Sequence, residues 1–198
     1  MIIGERFAYG HIPKTGGDAV RSWFARIPGH QVDDASNPHK HDFFWERRVS
    51  KPIYVLSLRR LPNWALSNLH QMAFHPDVAR LHGIDPSCGL QPEHAFLLRP
   101  DEFILGHQSG GRTISVWLRM EYLFDDVIRF VDRHVQPMTP EWHLRLQQIP
   151  VKGPHQYDHN VDAFIGAEKI RALYDAFPIW TSVERAIYGH LHGEAASA

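Results

Sequence analysis

One cysteine, Cys88, occurs among 198 residues, so no disulfide can form within the chain and its stability must come from a packed core. No apolar run approaches the ~20 residues of a membrane-spanning helix. Glu5 and Arg6 interrupt the first apolar residues, so no secretory signal is predicted. An excess of either charge is also missing: 21 Lys and Arg face 22 Asp and Glu, a formal net charge of −1. That balance argues against broad binding to nucleic acid or to an anionic membrane. No GxxxxGK[ST] sequence occurs, which disfavours an ordinary ATPase or GTPase. No internal repeat or low-complexity stretch divides the chain. These absences predict one soluble, cytoplasmic domain spanning 1–198, large enough to bury roughly 70% of its chain surface.

What the chain does contain is concentrated near its start. His11-Ile12-Pro13-Lys14-Thr15-Gly16-Gly17 lies between a short apolar run, Phe7, Ala8 and Tyr9, and a segment of helical periodicity. Val20, Trp23, Phe24 and Ile27 fall at i, i+3, i+4 and i+7, and Pro28-Gly29 ends that helix. Strand, tight basic turn and helix start make a pocket for an anionic group. Main-chain N–H groups at a helix N-terminus carry partial positive charge, glycines allow close approach, and lysine adds a full charge.

A second strand-to-helix turn follows. Ile53 to Leu58 is nearly all apolar and reads as a buried strand ending at Arg59 and Arg60. Pro62 then opens a helix whose apolar face is Ala65, Leu66, Leu69, Met72 and Ala73, closed by His75-Pro76. Alternating strands and helices imply a parallel sheet covered on both faces, with ligands beyond the carboxyl ends of its strands. Lys14 and Arg59 both fall at such ends, so they are expected to serve one molecule. Between them lies His39-Lys40-His41, where an imidazole with a pKa near neutrality could act as a base. Asp33, Asp34 and Glu46 are rival carboxylates. With 15 histidines in the chain, His-x-His patterns also arise by chance; His190-Leu191-His192 reads as a solvated tail.

The loop at residues 11–17 resembles the 5′-phosphosulfate loop of the sulfotransferase superfamily, especially the branch of carbohydrate O-sulfotransferases. The resemblance implies a three-layer, P-loop-like α/β fold with a central parallel sheet flanked by helices. It also implies 3′-phosphoadenosine 5′-phosphosulfate (PAPS) as cofactor and a carbohydrate or small-molecule hydroxyl as acceptor, with no metal. On that basis Pro13, Lys14, Thr15, Gly16, Gly17 and Asp18 would surround the phosphosulfate. Arg59 and Ser67 have the spacing of the family's 3′-phosphate ligands, and Lys152 matches a basic residue on a closing loop. His41 as base, with His39 in support, resembles the His-x-His stretch of uronyl 2-O-sulfotransferases. Two positions depart from the family: Asp18 stands where threonine is usual, and Arg60-Leu61 where aspartate and proline are. Asp18 would either face the anion and repel it or cap the helix facing away, and the extra charge of Arg60 would favour anion binding.

Elsewhere, residues 75–112 read as a mostly helical excursion over the acceptor site, with Cys88 on a loop. Thr113 to Leu118 reads as a third strand, followed by Arg119 and Glu121, as a solvated pair or as part of a later βα unit. Further helices are expected over 122–134, 139–148, 167–177 and 182–190. Two other classes stay open: a nucleotide-binding protein without transfer activity, and a P-loop kinase relative using ATP and magnesium.

Overall fold

The computed structural model describes residues 1–28, 30–32, 41–150 and 158–194. It is a mixed α/β structure, and its described residues fall into two compact units, Met1–Leu58 with Leu105–Pro154, and Arg59–Ile104 with His155–Ala198.

The first unit holds a five-stranded sheet in the order β3-β1-β2-β4-β5. The strands are β1 (Ile2–Gly4), β2 (Phe7–Gly10), β3 (His30–Val32), β4 (Ile53–Leu58) and β5 (Val116–Arg119). β2, β4 and β5 run parallel, with Tyr9 opposite Val55 and Leu58 opposite Arg119. Every residue of β2 is buried, as expected of a strand covered on both faces. The antiparallel pairings of β1 with β2 and with β3 lie outside the sequence expectation of a wholly parallel sheet. The third strand also starts later than Thr113: Ser115 donates to Tyr54 O, but the ladder begins at Val116.

Helices α1 (Gly17–Phe24), α5 (Leu123–His134) and α6 (Pro140–Gln147) belong to this unit. Phe7, Val20, Phe24, Val127, Phe130 and Leu146 meet in its core, where the Phe7 and Phe130 rings pack edge to face at 5.1 Å. Thr139 caps α6 as expected, its hydroxyl accepting from Trp142 N.

The second unit is helical among its described residues. It contains α2 (Leu61–Phe74), α3 (Pro76–Leu81), the first five residues of α4 (Pro100–Gln108), α7 (Val161–Phe164), α8 (Ala167–Ala176) and α9 (Pro178–Tyr188). Tight 3-10 turns at Pro86–Cys88 and Pro92–Leu97 fill the excursion, with the Cys88 thiol exposed. Trp64 is central: its ring lies 5.0 Å from Trp180 and 6.0 Å from Phe103. α9 begins four residues before the expected Ser182, because Asp101 on α4 accepts from Ile179 N and Trp180 N and so caps it from another element. The expected solvated tail is instead held down. Leu191 is buried, His190 accepts from Arg60, and His192 meets Asp162 through Nε2 and Tyr174 through its N–H.

Candidate functional site

The loop between β2 and α1 turns through two left-handed residues, Lys14 at φ 64° and Gly16 at φ 85°. Lysine rarely adopts this conformation, which costs of order 1–3 kcal/mol and persists where surrounding structure dictates it. Here a buried hydroxyl chain does so. Thr15 is fully buried, and its Oγ1 donates its one proton to Ile12 O at 2.8 Å. Thr15 must therefore accept from Ser57 Oγ at 2.8 Å, and Ser57 in turn must accept from Tyr9 OH, also at 2.8 Å. The direction Tyr9 to Ser57 to Thr15 to Ile12 is fixed. Burial pushes the Tyr9 phenol up, so it stays protonated and able to donate. Thr15, expected to bind the cofactor, thus faces inward and can offer a ligand its main chain alone.

Gly16 is the N-terminal boundary of α1, with no side-chain cap, and its carbonyl accepts from Ala19 N and Val20 N. A Cβ there would strike Leu123, and a Cβ at Gly17 would overlap the His11 ring. The glycine pair therefore lets α1 pack closely while its first turn opens at the loop. Asp18 is the second residue of α1, not its cap. Its charge suits the helix dipole.

His41 is tied to the same loop. Its Nδ1 lies 3.0 Å from His11 O, and its ring is 4.5 Å from the His11 ring. A carbonyl can only accept, so Nδ1 carries the proton, and the uncharged form of the ring has its lone pair on Nε2. Glu46, a rival base, accepts from Phe43 N and closes its own turn. His39, Asp33, Asp34 and Lys152 lie outside the described residues. His107 is a buried neighbour of this region that no sequence pattern singles out. It sits against the rings of Phe43 and Phe44, and neither ring nitrogen has a hydrogen-bond partner among the described residues. Burial first, then the N-terminal amine and His41, push its pKa down to about 3.

At the β4–α2 bend, in the second unit, the two arginines differ. Arg60 donates to Glu184 at 3.3 Å and to His190 O at 3.0 Å, and lies over the Tyr188 ring. Its charge is spent inside the unit, which corrects the expectation that it would favour an anion. Among the described residues, the Arg59 guanidinium makes no hydrogen bond or ion pair. Ser67 is 3% exposed on α2. Arg119, expected with Glu121 as a solvated pair or as part of a later βα unit, ends β5 and grips Asp126 of the following helix α5 through Nε at 2.9 Å and Nη2 at 2.8 Å. Glu184 and Ser57 were missed; Ser57 had a signal, as a polar residue within an apolar strand run, and Glu184 had none.

No protein-family model, curated protein or solved structure matches the chain. Among the described residues, no helix is long and apolar enough to cross a membrane, and no group of three or more His, Cys, Asp or Glu side chains is arranged to hold a metal.

Proposed function

We propose that this protein is a sulfotransferase of three-layer, P-loop-like architecture, moving the sulfuryl group of PAPS to a hydroxyl of a carbohydrate or small-molecule acceptor. The observation that carries this reading is the tether of His41 to the loop that bears Lys14, with the basic nitrogen of the imidazole set to Nε2. A base tied to the loop that carries a cation is what transfer from an anionic donor to a hydroxyl requires. The residues would fit the donor: an α1 start without a side-chain cap, with Lys14, for the phosphosulfate end, and Arg59, whose guanidinium has no partner among the described residues, for the 3′-phosphate.

When bound, PAPS supplies an electrophilic sulfur and a phosphate leaving group. His41 Nε2 would take the proton of the acceptor hydroxyl. Lys14 and the first turn of α1 would hold the phosphosulfate end and balance the negative charge of its leaving phosphate. His11 holds the imidazole through its carbonyl, so His41 needs no tautomer change to act. Arg59 and Ser67 take the 3′-phosphate.

The test is transfer of labelled sulfuryl from PAPS to a panel of hydroxyl acceptors. Lys14→Ala should lower turnover by about 10²–10³, the usual loss for one preorganised donor. His41→Ala should lower it by about 10²–10⁴ with unchanged affinity for 3′-phosphoadenosine 5′-phosphate. Full activity of either folded variant sinks the role given to that residue, and magnesium-dependent phosphoryl transfer from ATP would replace the reading altogether.

A further inference from the structure

Resting on the assignment of Arg59 to the 3′-phosphate, we infer that Trp180 and Glu184 of α9 are positioning residues that fix the Arg59 bend for that contact. Arg59 lies between the end of β4 and the start of α2, so neither a strand ladder nor a helix fixes it. α9 does so instead, through bonds to the three consecutive residues Arg59, Arg60 and Leu61. Trp180 Nε1 donates to Arg59 O at 3.1 Å. Glu184 Oε1 accepts from Arg60 Nη1 at 3.3 Å, and Oε2 accepts from Leu61 N at 2.7 Å. Both α9 side chains are 0% exposed.

The clamp is itself held. Tyr174 OH donates to Glu184 Oε1 at 2.8 Å, and the Trp180 ring lies 5.0 Å from that of Trp64 on α2. Asp101 accepts from Trp180 N at 2.7 Å and fixes where α9 starts. A buried carboxylate is costly unless it is paired and hydrogen-bonded, and Glu184 accepts from Arg60, Leu61 N and Tyr174 OH. The clamp has two effects on the bend: Trp180 and Glu184 hold the main chain on either side of Arg60, and Glu184 engages the Arg60 side chain internally. One arginine, Arg59, is left to meet an anion. Bidentate phosphate recognition depends on where the guanidinium fork is placed, so a loosened bend should weaken the 3′-phosphate contact and spare the rest of the nucleotide.

The experiment compares calorimetric affinities for 3′-phosphoadenosine 5′-phosphate and adenosine 5′-monophosphate in wild type, Arg59→Ala, Trp180→Phe and Glu184→Gln. The readout is the ratio of the two affinities, which a general loss of stability would not move in folded protein. Trp180→Phe keeps an aromatic ring but loses the donor. It should reduce the preference for the 3′-phosphate by about five- to tenfold at constant affinity for the monophosphate. Glu184→Gln should reduce it likewise if it folds, and Trp180→Phe alone decides the matter if it does not. If Trp180→Phe keeps the wild-type ratio, or weakens both nucleotides equally, while Arg59→Ala loses the preference, the clamp is overturned and Arg59 keeps its role. If Arg59→Ala also keeps the ratio, the 3′-phosphate assignment falls and takes the clamp with it.

Discussion

Each hydroxyl has one proton to give, and beneath the loop that limit leaves a single way to arrange Tyr9, Ser57 and Thr15. Ser57 is the middle member, so Ser57→Ala strips Tyr9 of its acceptor and Thr15 of its donor at once. Stability should fall by about 1–3 kcal/mol, read as a lower urea midpoint, because two buried groups lose their partners. An unchanged midpoint would mean that the chain adds nothing. At this scale the sequence was legible where chemistry is contiguous. The strand, turn and helix start around residues 11–17 are read from adjacent residues. It was illegible where chemistry is assembled from distant strands and helices: Thr15 looks like a ligand until Ser57 is found against it. Glu184 looks like any helical carboxylate until Arg60 and Leu61 are found on it.

Between elements, Asp126 on α5 fastens the end of β5 by accepting from Arg119 N, Nε and Nη2, and it also takes Arg129. Burial alone would raise its pKa, but the hydrogen bonds of Arg119, then the charges of Arg119 and Arg129, hold it below the usual carboxylate range. A depressed carboxyl stabilises the fold at pH above its unfolded pKa and loses that contribution as pH falls through its folded one. Asp126→Asn should therefore cost about 1.5–3 kcal/mol at neutral pH by chemical denaturation. The gap from wild type should close in strong acid. A gap that does not change with pH would assign the loss to shape and not to charge. Most helices and the strand at 53–58 were legible because period and caps are local signals, as Thr139 shows for α6. The start of α9 was not, since its cap comes from Asp101. The short strands β1 and β3 were not either, being three residues each.

For the molecule as a whole, acid should act through its histidines before its carboxylates. His107 is held near a pKa of about 3 by burial, and desolvation also lowers His70 and His134. Below about pH 6.5 the unfolded chain takes up protons that folded His107 refuses, so stability must drop as pH falls. From pH 7 to pH 5 His107 alone should cost about 2 kcal/mol, before most carboxylates titrate. Urea unfolding at the two values measures this, and His107→Phe should flatten the difference. An equally steep loss in that variant would move the effect to other groups.

The order of the strands along the chain sets an order of events in time. β4 pairs on one side with β2, made shortly before it, and on the other with β5, which follows only after 59–104. During synthesis the apolar β4 therefore has a bare hydrogen-bonding edge for as long as that stretch takes to emerge. A chain halted anywhere between 59 and 115 exposes a ready template for joining another copy.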